Sequence, residues 1–364
     1  MKKLVLINGR FLSQRATGVQ RYALETLRAL DRLLSSGARP VSFDLELVAP
    51  PGTQDPALSC IRLRHVGTRQ GHAWEQLDLL AASRGHHLLS FGPTGPLLKR
   101  DQTVTIHDAA VRAVPHTYSK AFRAWYGLAM PLLVRRAAQV MTVSEFSRGE
   151  LSRYFGADPK AVRVSGEGYQ HATRIVSDPS VLASHGLLPK SYVLAVSSVT
   201  PHKNFAVIAR AAARLGGAGF QVVVAGDNSQ AIFGDTDLSA VASVKFVGYV
   251  SDGELRALYE NAALFVFPSL YEGFGLPPLE AMAFDCPVVA SNAASIPEVC
   301  GEAALYFEPT DDEHLARLIE RLMQSPAERA ALVEKGRAQL QHHSWEASAL
   351  AHLSALEQVL AARG

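Results

Sequence analysis

Short apolar runs alternate along this chain with stretches whose apolar positions return every three or four residues, and that alternation predicts most of its elements. KLVLIN (3–8) reads as a buried strand, and a loop over 9–17 leads to Gly18. Gly18 opens a helix with Val19, Tyr22, Ala23, Leu27 and Leu30 at helical spacing. Strands are expected in SFDLELVAP, HHLLSF, QTVTIHD (102–108) and QVMTVS, and helices over 71–84, 117–138 and 145–154. Pro131 should kink the second of these helices and Ser144 should cap the third. AVRVSGEG closes this half, and a turn-rich link over 177–190 precedes a second series. There the strands are SYVLAVSS, FQVVVAG, VKFVGYV, FVF, VVA and ALYFEP; the helices cover 204–215, 252–261, 311–324 and the segment from Pro326 onward. Strands alternating with helices in both halves predict two parallel α/β domains, with ligands at the carboxyl ends of the strands.

One stretch concentrates the candidate chemistry. FVFPSLYEGFGLPPLEAMAFDCPVVAS (265–291) reads as strand, loop, helix, strand. Pro277 and Pro278 suit a first helical turn, where a missing N–H costs nothing. Glu272 and Glu280 bracket the loop and helix start, with seven residues between them. The backbone N–H groups of Gly273, Phe274, Gly275 and Leu276 would point out of that helix end toward an anionic or hydroxyl-rich ligand. One carboxylate here could equally complement the helix dipole. Two of them, in a loop framed by glycine and proline, favour a ligand.

Length and composition narrow the class. At 364 residues, 48% hydrophobic and 19% charged, the chain is an ordinary soluble globular protein of about two domains. Its cysteines, Cys60, Cys286 and Cys300, form no CxxC pair, which argues against a disulfide framework or structural zinc and for a reducing compartment. The apolar run in MKKLVLINGR ends too soon for a signal peptide, and no run nears the ~18 residues of a membrane span, so a cytoplasmic protein is expected. The net charge of +2 hides an asymmetry: residues 1–182 hold 24 Lys+Arg against 14 Asp+Glu, and residues 183–364 hold 12 against 20. The basic half suits an anionic acceptor or a peripheral contact with acidic lipid, or the two halves simply attract each other across a cleft.

The stretch Glu272 to Glu280, with GFGLPPLEAM, resembles the E-x7-E motif of retaining glycosyltransferases of the GT-B fold, family 4. TGVQRY, TIHD, VSEFSRGEL, PHKN and FVGYVSDGELRALYENAALFVFPSLYEGFGLPPLEAMA carry the similarity, in order, over nearly the whole chain. The nearest subgroup is the bacterial mannosyltransferase-like enzymes that build surface polysaccharides. The resemblance implies two Rossmann-like parallel α/β domains facing across a cleft. An acceptor-binding domain would span residues 1–170 and a nucleotide-sugar domain 178–345, with a terminal helix over 346–364 crossing back to the first. It implies retaining, metal-independent transfer of a hexose to a hydroxyl of a glycan or lipid-linked acceptor. GDP-mannose is the expected donor, with UDP-sugars and dTDP-rhamnose open. No cofactor is implied beyond the nucleotide-diphosphate sugar as co-substrate, and no nucleic acid.

Residue roles follow from the same resemblance. Glu280 would accept hydrogen bonds from the ribose hydroxyls, and Glu272 would lie against the donor sugar. The N–H groups of Gly273, Phe274, Gly275 and Leu276 would grip sugar hydroxyls or phosphate. Lys203 would neutralise the leaving diphosphate. His202 stands where family members often carry Arg, so the usual pair of cations rests partly on an imidazole. His107 would contact the donor sugar near the reacting centre, and Asp108 would orient it or meet the acceptor. Gly18 would bring backbone near the donor phosphate and acceptor; Tyr249 and Val250 would hold the base, largely through backbone atoms. Whether Arg21 and Tyr22 belong to core or site is left open.

Other readings are weaker. Asp235-Thr236-Asp237 has the form of a DxD metal motif but reads as a polar loop, and no metal is expected. No GxGxxG follows a strand and no GxSxG is present, which argues against dinucleotide oxidoreductases and α/β-hydrolases. FRAWYGLAMPLLVRR (122–136) is either a core helix with a basic face or a surface that lies on a membrane. A catalytically silent sugar-nucleotide-binding partner in a polysaccharide assembly complex is the second function class. The presence of Glu272, Glu280, His107 and Lys203 together favours the enzyme.

Overall fold

Both sheets of the computed structural model, which describes residues 2–15, 17–197, 200–216, 219–226 and 244–362, are parallel in every strand pair. The chain divides into two compact units, one made of residues 1–168 with 345–364, the other of residues 169–344.

Unit 1 holds β1 (Lys3–Asn8), β2 (Phe43–Ala49), β3 (Arg62–His65), β4 (His87–Ser90), β5 (Gln102–Thr105), β6 (Gln139–Thr142) and β7 (Val162–Val164), in spatial order β3-β2-β1-β4-β5-β6-β7. Strands covered on both faces are nearly continuous apolar runs, and Val5, Leu6, Ile7, Leu88 and Leu89 are fully buried. The edge strand β3 has no such signature. Its sequence RLRH is solvated, with Arg64 bridging to Glu46 on β2 at 2.8 Å, a charged edge that resists further pairing. The helix expected over 71–84 runs over 71–82 and contains a π-helical segment, Trp74–Leu79, that turns Trp74, Glu75 and Leu79 inward. The next long helix is Lys120–Arg136, shorter than the periodicity suggests; Ser119 caps it and a 3-10 turn, Pro115–Thr117, precedes it. Pro131 lies inside it. The terminal helix Trp345–Ala361 belongs to this unit, burying Trp345, Ala349, Leu353 and Leu356 and packing beside the helix Gly18–Ser35.

Unit 2 holds β8 (Tyr192–Ser197), β9 (Gln221–Gly226), β10 (Val244–Gly248), β11 (Leu264–Phe267), β12 (Val288–Ser291) and β13 (Ala304–Phe307), in spatial order β10-β9-β8-β11-β12-β13. Its core joins Val193, Val222 and Val266 of the sheet to Phe205, Leu315 and Ile319 of the covering helices. Residues 169–176 belong with this unit, and a helix, Ser180–Ser184, lies in the expected link.

Each sheet reverses its strand order once, between β1 and β4 in unit 1 and between β8 and β11 in unit 2. Such a switch point opens a crevice at the carboxyl ends of the strands, where α/β sheets bind ligands. Among the described residues, no helix is long and apolar enough to cross a membrane. Asp235-Thr236-Asp237 lies outside the described residues.

Candidate active site

The switch point of unit 2 brings together the loops after β8 and β11. The second of these is the stretch with both glutamates. Gly275, at φ +113° and ψ 65°, turns the chain into the helix Leu276–Ala283, a backbone conformation that favours glycine. Buried Ser295 ties the loop down, its hydroxyl reaching the carbonyls of Glu272 at 3.0 Å and Phe274 at 2.7 Å. The first loop is fastened to the second. The Leu270 N–H donates to the His202 carbonyl at 2.8 Å, and Asn204, in the left-handed region, donates to the carbonyls of Pro268 (3.0 Å) and Pro309 (2.7 Å). Lys203, in the 3-10 turn Pro201–Lys203, is thereby held over the ring of Phe267, and its Nζ lies 2.7 Å from Glu272 Oε1. Both side chains are mostly buried, at 21% and 13% exposed. His202, in the same turn, is buried.

Glu280 is the fifth residue of its helix, and the first turn contains no acid. The dipole explanation therefore loses its force, because that effect fades within the first turn. Its carboxylate is held instead by two buried donors. His171 Nε2 lies 2.8 Å from Oε1, and the Tyr259 hydroxyl donates to Oε2 at 3.3 Å. Burial, reinforced by the negative charge of Glu280, keeps the Tyr259 phenol well above its ordinary pKa and so protonated. Glu272 and Glu280 thus have separate partners.

In unit 1 a cavity of about 410 Å³ opens where β1, β4 and β5 end, lined by Arg10, Phe91, Thr94, His107, Asp108 and Tyr126 among others. His107 is 7% exposed and fixed from three sides. Its Nε2 lies 2.9 Å from the Phe91 carbonyl, which can only accept, so Nε2 carries the proton. Its Nδ1 faces Glu167 Oε1 at 3.7 Å, and the Tyr22 ring meets it edge-on with centroids 4.6 Å apart. Asp108 accepts from the Ala110 N–H at 2.8 Å.

Tyr22 settles as core: it is fully buried, and burial raises its phenol far above the ordinary range. Its hydroxyl lies 2.7 Å from Ser165 Oγ and 2.8 Å from Nε2 of His352 on the terminal helix. His352 is pushed down to about 3 by burial, with His107 as the lesser cause, and is therefore neutral. One set of donors closes this network: His352 Nε2–H to Tyr22, Tyr22 to Ser165, and Ser165 to the Thr142 carbonyl at 3.1 Å. Gly18, the first residue of its helix, is exposed, and a Cβ there would meet nothing within 4 Å.

The expected residues thus divide between the units. Gly18, His107 and Asp108 lie in unit 1; Lys203, Tyr249, Val250, Gly273, Phe274, Gly275, Leu276 and both glutamates lie in unit 2. Tyr249 and Val250 follow β10, and Tyr249 is 79% exposed. Sequence reasoning missed His171, Tyr259, Ser295, Glu167 and the Arg10–Glu75 pair. His171 lies outside the motif stretch, and only its hydrogen bond to Glu280 marks it. Glu75 shares its segment, WEQLDLL, with Gln76 and Asp78, so nothing local sets it apart.

Comparison with known proteins bears on the family and the fold. The family model described as glycosyl transferases group 1 matches residues 183–339. The chain is 30% identical over 256 residues to O-antigen chain mannosyltransferase B of Escherichia coli, covering 66% of each chain. It is 26% identical over 335 residues to O-antigen chain mannosyltransferase RfbU of Salmonella typhimurium, covering 88% of this chain and 92% of that one. Among solved structures, sucrose-phosphate synthase from Thermosynechococcus elongatus matches over 100% of both chains with a TM-score of 0.71 at 20% identity. WaaG, a glycosyltransferase involved in lipopolysaccharide biosynthesis, matches over 96% of this chain and 98% of its own with a TM-score of 0.68 at 15% identity, a likeness of fold. With two Rossmann-like parallel domains and mannosyltransferase relatives, the chain belongs to the GT-B glycosyltransferases, of the mannosyltransferase-like kind.

Proposed function

We propose that this protein, as a family 4 enzyme, transfers mannose from GDP-mannose to a hydroxyl of a glycan or lipid-linked acceptor in surface polysaccharide synthesis, with retained configuration and without a metal. The observation that carries this reading is the Lys203–Glu272 pair beside the loop at the Leu276 helix start, with Glu280 held separately further along that helix. Lys203 takes the diphosphate charge that a metal would otherwise neutralise, and the N–H groups of 273–276 add hydrogen bonds. Glu272 meets the sugar and Glu280 the ribose. Mannose is favoured because the relatives named above are O-antigen mannosyltransferases.

Unit 1 receives the acceptor in the cavity beside His107 and Asp108. A peripheral contact with the inner face of the membrane is supported by the helix Lys120–Arg136. It carries Lys120, Arg123, Arg135 and Arg136, has no acid, and exposes Phe122 and Leu128.

The test is a thermal-shift series with GDP, GDP-mannose, UDP-glucose and dTDP-rhamnose, followed by transfer assays with and without EDTA and assignment of the product anomer by NMR. GDP-mannose should raise Tm most, and EDTA should leave transfer unchanged. No shift with any nucleotide sugar would sink the reading. Binding without transfer to any acceptor would favour a silent sugar-nucleotide-binding partner.

A further inference from the structure

Glu280 sits in a mount built by parts of unit 2 outside its own helix. His171 comes from the short helix Gln170–Thr173 and Tyr259 from the helix Asp252–Asn261. The short helix is itself pinned. Gln170 Nε2 donates to the His343 carbonyl at 3.0 Å, and Arg256, on the Tyr259 helix, donates to the Thr173 carbonyl at 3.2 Å. His171 and Tyr259 are 4% and 1% exposed, so water does not compete for their donors.

We propose that His171, assisted by Tyr259, is a positioning residue that orients the Glu280 carboxylate for the ribose of the donor nucleotide. This rests on the reading of unit 2 as the donor site. A carboxylate offers about two lone-pair positions on each oxygen. His171 takes one on Oε1 and Tyr259 takes one on Oε2, which leaves one on each for two vicinal hydroxyls. A free glutamate would have to freeze its side-chain torsions when the nucleotide arrives; here that entropy is lost on folding, and the ligand meets a preset acceptor pair.

The discriminating measurement is a cycle between His171 and the ribose hydroxyl, read by calorimetric titration of GDP, UDP and their 2′-deoxy forms. Wild type should bind at least one of the two diphosphates and lose about tenfold in affinity for its 2′-deoxy form, the effect of one hydrogen bond to a charged group. His171→Ala should bind the ribo form about tenfold more weakly and distinguish the two forms by less than about twofold. His171→Gln, whose amide nitrogen reaches close to the position of Nε2, should recover most of the discrimination. Tyr259→Phe, which removes only a hydroxyl, should lower it about threefold.

A purely structural role would weaken both forms equally. A His171→Ala protein that keeps the wild-type ratio therefore overturns the proposal, as does a Tyr259→Phe protein with an unchanged ratio if His171→Ala does not fold. A wild type that binds a diphosphate without regard to the 2′-hydroxyl removes the ribose role of Glu280 and this inference with it. A wild type that binds neither diphosphate removes the donor-site reading itself.

Discussion

Lys203 Nζ and Glu272 Oε1 lie 2.7 Å apart, so the side chains proposed for the donor's diphosphate and sugar form an ion pair with each other. A phosphate on Lys203 would compete with Glu272 for the same ammonium donors. Glu272→Gln should therefore bind GDP about two- to fivefold more tightly, because a partly exposed ion pair no longer competes. The same variant should lose about 10²-fold or more in transfer rate. Lys203→Ala should weaken GDP binding and slow transfer about 10²-fold. Calorimetry and initial rates separate these effects; Glu272→Gln weakening GDP as much as Lys203→Ala would put Glu272 on the nucleotide.

His352 ties stability to pH. Its folded pKa, about 3, lies below the ~6.5 of an unfolded histidine. Between those values the unfolded chain binds a proton that the folded one does not. The stabilisation is thus complete above pH 6.5 and is lost as pH falls, at about 1.4 kcal/mol per unit or about 2 kcal/mol by pH 5. His343 in unit 2 is lowered by burial and acts in the same direction. Denaturant titrations at pH 7, 6 and 5 should show a shallower loss for His352→Gln than for wild type. Equal losses would mean that His352 is not the group responsible.

Gly18 separates function from folding. Its Cβ position is open and its backbone needs no positive φ, so nothing within unit 1 requires glycine. Gly18→Leu should leave stability unchanged or raise it by about 0.5 kcal/mol, since glycine is a poor helix former. If the Gly18 backbone meets the donor phosphate, as the family resemblance implies, transfer should fall at least about tenfold. Thermal denaturation with parallel rate measurements decides this; full activity would remove Gly18 from the site.

The Arg10–Glu75 pair should be structural in its energetics whatever it contributes to the cavity. Its atoms lie 3.0 Å apart, and the side chains are 9% and 0% exposed. Asn8 and Thr94 also donate to Glu75, at 2.9 and 2.8 Å. Glu75→Ala leaves a buried guanidinium without its counter-ion and should cost about 3–5 kcal/mol; Glu75→Gln, which keeps an acceptor for Asn8 and Thr94, should cost less. A loss under about 1 kcal/mol for Glu75→Ala would mean that water reaches Arg10.

The sequence alone determined the class of fold and the loop that carries most of the candidate chemistry. Strands buried on both faces must be apolar throughout, so β1, β8, β11 and β12 announce themselves, and a strand followed by glycine, two prolines and an apolar helix marks the turn at Gly275. What local pattern could not carry was β3, whose charged edge lacks the signal of a buried strand, and the burial of Glu75, whose partners Asn8, Arg10 and Thr94 lie far from it in the chain. Only the tertiary structure decided the partners. Lys203 meets Glu272 across 69 residues, His171 meets Glu280 across 109, and Tyr22 meets His352 across 330. Periodicity reports which face of an element is buried, not what buries it. The partner follows from the spatial order of the strands and the path of the crossovers, which the packing of each unit settles as a whole.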